Sequence, residues 1–246
     1  MTNNLFITFE GIDGSGKNTQ VTKLVDAITN DENNFIGDKY STFWLSREPT
    51  KKTSYGKKIC AGIRTDEGVE GTTAAKLFVN DRKLHTHNFI LPRLAEGDYA
   101  LINRYDLSTL SYQLTQGIEF DKLYDMHGYK KDYGAIIPHL TLVFDLPVSE
   151  ALKRKEKRRG VTEQFEEERF QEKLYDMQEL AIEKLLAYQP EREILRINAN
   201  QSIDEVTHEM IDKISSSKTV KENTHTVYGK NFVKNLKRQY LHNNLI

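Results

Sequence analysis

The chain has 246 residues, of which 38% are hydrophobic, and this length suits one α/β domain with a substantial buried core. Its formal net charge of -1 excludes a global basic field that would favour nucleic acid as a partner, and its single cysteine excludes an internal disulfide framework. No apolar stretch reaches the roughly 18 residues that a membrane-spanning helix needs, and the N-terminal segment lacks the pattern of a secretion signal. We therefore expect a cytoplasmic protein without nucleic-acid or membrane partners.

Five short apolar runs alternate with longer amphipathic segments along the chain. This alternation is typical of a parallel sheet covered by helices. In such sheets, ligands bind beyond the carboxyl ends of the strands, and polar segments follow four of these runs. The predicted strands cover residues 5–10, 41–46, 99–103, 140–146 and 193–198.

The composition changes near the C-terminus. The segment "SSSKTVKENTHTVYG" is typical of a linker, and a basic segment follows in which Val233, Leu236 and Tyr240 share one helical face. We therefore expect one folded domain over residues 1–215 and a basic extension over residues 216–246.

The stretch "GIDGSGKN", residues 11–18, follows the first predicted strand and precedes a helix predicted from about residue 17 to 28. Its glycines allow successive N–H groups to converge on phosphate oxygens, and the helix adds the positive end of its dipole. Lys17 would reach the β- and γ-phosphates of a nucleotide. Asn18 stands where this phosphate-loop pattern has a Ser or Thr that binds Mg²⁺, and its amide oxygen can ligate the metal directly or through water.

Five segments, in order and at matching spacing, resemble the thymidylate kinase family: "FITFEGIDGSGKNTQ", "REPT", "LFVNDR", "NRYDLSTLSYQ" and the basic "ALKRKEKRRGVTEQFEEERF". The resemblance extends roughly from Asn4 to Ile214. It implies a P-loop NTPase fold, in which a five-stranded parallel sheet is flanked by helices and carries a mobile lid. It also implies a homodimeric enzyme that transfers the γ-phosphoryl group of ATP to dTMP, giving dTDP and ADP, with Mg²⁺ as cofactor.

On the donor side, the resemblance implies catalytic roles for Lys17 and Asp13 and a metal-binding role for Asn18. The ATP-binding residues would be Gly11, Ile12, Asp13, Gly14, Ser15, Gly16, Lys17, Asn18 and Thr19.

The basic segment resembles the lid of the family and covers about residues 153–165. Family members carry a catalytic arginine either in the phosphate loop or in the lid. Because Gly14 stands at that place in the loop, Arg158 or Arg159 of the lid is the expected source. An arginine that closes on the transferred group contributes roughly 10³–10⁵ in rate in related phosphoryl-transfer enzymes.

For the acceptor, the resemblance places "REPT" beside the phosphate and sugar of dTMP, where Arg47, Glu48 and Pro49 would help to position them. Arg104 follows the third predicted strand, and its guanidinium is a bidentate donor that suits the acceptor phosphate.

Four further residues would hold the nucleoside. Phe78 and Arg82 are four apart and share one face of a helix, so that Phe78 could stack on the base while Arg82 donates to a base oxygen. Thr109 and Tyr112 match family positions near the base and the sugar, and Tyr112 would disfavour a ribose 2′-hydroxyl.

Besides Asn18, the sequence departs from the family pattern at two further places. Asn103 replaces the aspartate that usually precedes Arg104, and Glu163 and Gln164 replace an Asp-Arg pair of the lid. Asp13 is among the nearby carboxylates that could compensate for the missing aspartate.

Other interpretations of single motifs remain open at this point. Arg47 and Glu48 could form a surface ion pair, Phe78 could be an ordinary core residue, and the basic run could be a solvated helix face. The seven histidines show no metal-ligand spacing.

Two further interpretations concern the function itself. One is a kinase of broader specificity that also accepts dUMP. The other is a catalytically weak nucleotide-binding protein, suggested by the two asparagines and by Gln164.

Overall fold

The computed structural model describes residues 5–29, 43–62, 71–129, 131, 133–159 and 164–223. Its strands are β1 (Phe6–Glu10), β2 (Phe43–Arg47), β3 (Tyr99–Asn103), β4 (Leu140–Asp145) and β5 (Glu193–Asn198). They form a five-stranded sheet in the order β2-β3-β1-β4-β5, in which every neighbouring pair is parallel.

Helices connect successive strands, which is why all strands can run in the same direction. A π-helical turn at Thr86–Ile90 joins the third helix to the fourth. The helices are α1 (Lys17–Thr29), α2 (Ser54–Gly62), α3 (Gly71–His85), α4 (Leu91–Ala95), α5 (Asp106–Thr115), α6 (Phe120–His127), α7 (Val148–Arg159), α8 (Gln164–Tyr188), α9 (Ile203–Ser216) and α10 (Lys218–Asn223). This architecture confirms the predicted α/β class and the five-stranded parallel sheet flanked by helices.

The central strand β1 is buried along its whole length, because helices cover both faces of the sheet. Ile7 lies opposite Leu101 of β3 and Leu140 of β4. The rings of Phe9 and Phe144 stack with centroids 6.4 Å apart. Such packing on both faces explains why the strands appear as continuous apolar runs in the sequence.

The carboxyl ends of β1, β2 and β3 meet at one edge of the sheet. Phe9 and Arg47 both lie opposite Asn103 in the strand register. The phosphate loop, "REPT" and "NRY" therefore come together, although "REPT" begins 36 residues after the start of the loop and "NRY" begins 56 residues after the start of "REPT". This edge contains the candidate site.

The folded part continues past the expected boundary at residue 215. Val220 of α10 is fully buried in the main core. Glu193 holds this turn, because its carboxylate accepts hydrogen bonds from Ser217 Oγ and from the backbone N–H of Thr219, both at 2.8 Å. Residues 216–223 therefore pack as part of the domain rather than as a linker, while residues 224–246, including the predicted helical face, lie outside the described residues.

Within the described ranges, none of the helices combines the length and the apolar character needed to cross a membrane.

Candidate active site

The phosphate loop connects β1 to α1 and packs directly against α7. Gly14 has a φ of +93°, and a Cβ atom at this position would lie 2.6 Å from the carbonyl oxygen of Ala151. The backbone conformation and the contact with α7 both require glycine here. The loop therefore has no room for a larger side chain at Gly14, and the lid as the source of a catalytic arginine stays a prediction.

A cavity of about 190 Å³, which we call the phosphate cavity, opens at this loop. It is lined by Asp13, Gly14, Gly16, Lys17, Asn18, Thr19 and Lys155. Three other residues of the predicted ATP-binding set, Gly11, Ile12 and Ser15, are buried within the loop. The Ser15 hydroxyl has no hydrogen-bond partner among the described residues.

Lys17 is the buried cation of the phosphate cavity, with 5% of its surface exposed. Its Nζ donates to the carbonyl oxygen of Ile12 at 3.1 Å and lies 3.8 Å from Asp13 Oδ1. Burial, with a further contribution from the charge of Arg104, lowers the pKa of the Lys17 ammonium to about 7. A phosphate group bound here would supply the negative charge that favours the protonated form.

The two asparagines that depart from the family pattern contact each other. Asn103 Nδ2 donates to Asn18 Oδ1 at 2.6 Å, and the buried Asn103 Oδ1 has no hydrogen-bond partner within the described part of the chain. These amide oxygens are hard donors that suit Mg²⁺, and Asn103 Oδ1 could accept a hydrogen bond from a metal-bound water. No group of three or more His, Cys, Asp or Glu side chains among the described residues could hold a metal ion alone. The two amide oxygens, one of them without a partner in the part that the structure describes, therefore fit Mg²⁺ or its water shell.

A second cavity, of about 350 Å³, lies beside the phosphate cavity, and we call it the acceptor cavity. The structure brings together here most of the residues that the sequence predicts for the monophosphate substrate. The lining comprises Asp13, Glu48, Pro49, Phe78, Arg82, Arg104, Tyr105, Ser108, Thr109, Tyr112, Gln113 and Gln116. Asp13 thus lines both cavities.

Arg47 and Glu48 occupy different environments. Arg47 is exposed and is absent from the lining of both cavities. Glu48 is 5% exposed, and its carboxylate accepts from Arg82 Nε at 2.8 Å and from His85 Nδ1 at 2.9 Å. The alternative of a surface ion pair at "REPT" is therefore wrong for Glu48, which belongs to a buried polar network.

Arg82 is 1% exposed and donates from three nitrogens. Both Nε and Nη2 lie close to Glu48 Oε2, at 2.8 and 2.6 Å. Nη2 also donates to the carbonyl oxygen of Tyr105 at 2.8 Å and to Thr109 Oγ1 at 2.9 Å, and Nη1 lies 2.7 Å from His127 Nε2. The guanidinium also lies 4.7 Å from the centroid of the Tyr105 ring. Arg82 therefore organises the wall of the acceptor cavity in addition to lining it.

Arg104 has a left-handed backbone conformation, with a φ of +64°. Its N–H donates to the carbonyl oxygen of Phe9 at 2.9 Å, and its Nη1 donates to Ser108 Oγ at 2.9 Å. Nη2 forms an ion pair with Asp13, and the guanidinium lies 5.9 Å from the centroid of the Tyr112 ring. Non-glycine residues are uncommon in this conformation and cluster at functional sites, where the surrounding structure imposes it.

Asp13 stands among several cations at the junction of the cavities. Burial by itself raises the pKa of the Asp13 carboxyl. The positive charges of Arg104, Lys17 and Lys155 outweigh burial, so that this pKa lies below its ordinary value. Asp13 is therefore ionised at neutral pH.

The lid is described in part. The backbones of α7 and α8 flank residues 160–163, and the side chains of Arg158 and Arg159 lie outside the described residues. Lys155 of α7, however, lines the phosphate cavity. Ala151 contacts Gly14 and precedes Lys155 by one helical turn, which explains why this lysine faces the loop.

Sequence reasoning missed Gln113 in addition to Lys155. Gln113 is 2% exposed, lines the acceptor cavity and has an Oε1 atom without a hydrogen-bond partner in the described ranges. It follows Thr109 by four residues on α5, so the spacing along the helix was a signal that could have identified it.

Comparisons with known proteins identify the family of the chain. A family model described as "Thymidylate kinase" matches residues 9–211. A probable thymidylate kinase of Pyrococcus horikoshii is 32% identical over 214 residues, which cover 84% of this chain and 93% of that relative. A thymidylate kinase of a Bradyrhizobium species is 34% identical over 219 residues, which cover 85% of this chain and 88% of the relative.

A solved structure supports the fold. The thymidylate kinase from Candida albicans superimposes with a TM-score of 0.64 at 23% sequence identity, and the match covers 89% of this chain and 94% of that one. Taken with the match of the family model over most of the chain, these relatives show that the protein belongs to the thymidylate kinase family.

Proposed function

We propose that this protein transfers the γ-phosphoryl group of ATP to dTMP, giving dTDP and ADP. The observation that carries the proposal is the position of Asp13, which lines both the phosphate cavity and the acceptor cavity. A triphosphate in the first cavity and a monophosphate in the second would meet at this residue. Membership of the thymidylate kinase family supports the same reaction.

On the donor side, the loop N–H groups and Lys17 hold the phosphates of ATP. Asn18 and Asn103 offer amide oxygens to Mg²⁺ or to its water shell. When bound, Mg²⁺ neutralises charge on the β- and γ-phosphates and thereby assists the transfer. Arg158 or Arg159 would close over the transferred group from the lid, a role that stays a prediction from the family resemblance.

On the acceptor side, Arg104 binds the phosphate of dTMP and directs one of its oxygens at the γ-phosphorus. The transfer is direct, because an oxygen of the acceptor is itself the nucleophile and no covalent enzyme intermediate is needed. Asp13 keeps Arg104 in place through their ion pair. Arg47 is exposed, and its contact with the acceptor stays a prediction from the sequence.

The base and sugar occupy the remainder of the acceptor cavity. Phe78 stacks on the base, while Arg82, Thr109 and Gln113 offer hydrogen-bonding groups to its edge. Tyr112 lines the same cavity and would occupy the space that a ribose 2′-hydroxyl needs.

A coupled ADP-release assay across dTMP, dUMP, UMP and CMP tests this function. We expect the highest kcat/KM with dTMP, and a low value with UMP because of Tyr112. Brisk turnover of UMP beside negligible turnover of dTMP would contradict the assignment. Turnover of dUMP equal to that of dTMP would favour the kinase of broader specificity.

Lys155 provides a second test, which concerns the donor side. Because Lys155 lines the phosphate cavity, we expect Lys155→Gln to lower kcat/KM for ATP about tenfold. This is the effect of losing one hydrogen bond to a charged phosphate group. Steady-state kinetics with varied ATP at saturating dTMP measure this effect.

Lys153 offers a matched control on the same helix, since its side chain is 67% exposed and lies 3.8 Å from Glu150. Lys153→Gln should leave kcat/KM for ATP unchanged. Equal losses in the two variants would show that Lys155 acts only through the overall charge of α7.

The assembly and the location of the protein stay predictions. We propose a cytoplasmic homodimer on the basis of the family resemblance. Light scattering coupled to size-exclusion chromatography should give the mass of two chains, and the mass of one chain would contradict the dimer.

A further inference from the structure

His127 is a fully buried histidine at the end of α6 that the proposed reaction does not use. Both of its ring nitrogens have partners. Nδ1 lies 2.7 Å from the carbonyl oxygen of Leu123, and Nε2 lies 2.7 Å from Arg82 Nη1. The ring also stacks on Tyr129, with centroids 5.3 Å apart and an interplanar angle of 1°.

These partners determine the protonation state of the imidazole. A carbonyl oxygen can only accept a hydrogen bond, so Nδ1 carries the hydrogen, and a guanidinium can only donate, so Nε2 offers its lone pair. His127 is therefore a neutral acceptor for Arg82. Burial, followed by the positive charge of Arg82, lowers the pKa of His127 to about 3, which is consistent with this neutral form.

His127 completes the set of groups that hold Arg82. The guanidinium has five N–H donors. Glu48 takes the Nε hydrogen and its Oε2 also lies 2.6 Å from Nη2. The Nη2 group donates in addition to the carbonyl oxygen of Tyr105 and to Thr109 Oγ1. One Nη1 hydrogen goes to His127, and the other has no acceptor among the described residues. Since Arg82 lines the acceptor cavity, the remaining hydrogen is the one available to a ligand there.

We propose that His127 is a positioning residue for base recognition, which fixes Arg82 so that its remaining Nη1 hydrogen is offered to a carbonyl oxygen of the base. The inference rests on the proposed function, because it takes the acceptor cavity as the site of the base. Without His127, both Nη1 hydrogens would compete for the ligand and the guanidinium could turn. Selection for a carbonyl at that position of the base would then weaken.

The test compares dTMP with 5-methyl-dCMP, which carries an amino group in place of one ring carbonyl. We expect the wild type to prefer dTMP. His127→Phe should lower the ratio of kcat/KM for dTMP to kcat/KM for 5-methyl-dCMP about tenfold, because it removes one hydrogen bond that positions a charged donor. His127→Gln keeps a side-chain oxygen as acceptor and should restore most of the ratio. The KM for ATP should be unchanged in both variants.

A ratio of two substrates separates positioning from stability, because partial unfolding lowers the activity on both substrates equally. Thr141→Val is a matched control, since Thr141 is buried and accepts a hydrogen bond from Arg192 at 2.9 Å but does not line either cavity. This variant should lower Tm without changing the ratio.

A spectroscopic measurement on the wild type keeps the test decisive if His127→Phe does not fold. Long-range ¹H–¹⁵N correlation spectra at neutral pH should show His127 as the neutral tautomer with hydrogen on Nδ1. A protonated ring or the opposite tautomer would overturn the inference. If the wild type prefers dTMP and His127→Phe keeps the same preference, the inference is overturned but the proposed function stands. If the wild type does not turn over dTMP, the proposed function and the inference are overturned together.

Discussion

Replacing Lys17 with Met is expected to lower kcat about 10²–10³-fold. This is the usual effect of removing one hydrogen-bond donor that points at the negative charge developing in the transition state. Lys17 is the buried cation of the phosphate cavity, and its Nζ is held by the carbonyl oxygen of Ile12 and by Asp13. Methionine keeps the length and the packing of the side chain but cannot donate to the phosphates. Single-turnover measurements with saturating ATP and dTMP report the loss.

Lys23 supplies the control for this variant. It lies on the same helix, α1, and its side chain is 46% exposed and 3.6 Å from Asp204. Lys23→Met should keep the wild-type kcat. If Lys17→Met also kept it, the phosphate cavity would not be the donor site.

The second large effect is expected at Arg104. Arg104→Gln should lower kcat/KM for dTMP about 100-fold, because it removes charge-assisted hydrogen bonds to the acceptor phosphate. The KM for ATP should change little, since Arg104 lines the acceptor cavity and not the phosphate cavity. Kinetics with varied dTMP at saturating ATP measure the change.

Two comparison variants sharpen this result. Arg104→Lys keeps the positive charge and encounters the same left-handed backbone, so its loss should be intermediate. Arg93→Gln removes a 46% exposed arginine on α4 and should have no effect. An equal loss of kcat/KM for ATP and for dTMP in Arg104→Gln would contradict a specific role on the acceptor side.

The sheet and the phosphate loop could be predicted because their signals are local. Buried parallel strands appear as continuous apolar runs, and the loop has fixed spacing between glycines and Lys17. The predicted runs at 99–103 and 193–198 coincide with β3 and β5. The same local signals placed the polar segments after the strands, where the two cavities open.

Contacts between distant segments could not be predicted in this way. Asn18 and Asn103 are 85 positions apart, and their hydrogen bond exists because β1 and β3 are neighbours in the sheet. The family resemblance identified both residues as departures on the magnesium side of the site but did not show that their side chains contact each other. His127 and Arg82 are likewise 45 positions apart and meet only where α3 and α6 pack together.

The packing of α10 on the core could not be predicted for a related reason. Residues 216–223 are polar in composition, and Val220 is the one hydrophobic side chain that connects their described part to the core. The acceptor that holds this turn, Glu193, lies 24 positions before Ser217. A short turn fixed by so few groups gives no periodic pattern in the sequence.

The most direct test of the central claim is to follow the phosphoryl group itself. The protein is incubated with dTMP, Mg²⁺ and ATP labelled in its γ-phosphoryl group, and the products are separated by chromatography. We expect the label in dTDP with the wild type, and little transfer with Lys17→Met or Arg104→Gln. Label that stays in ATP, or that appears only as inorganic phosphate whether or not dTMP is present, would contradict the assignment of this protein as a kinase that acts on dTMP.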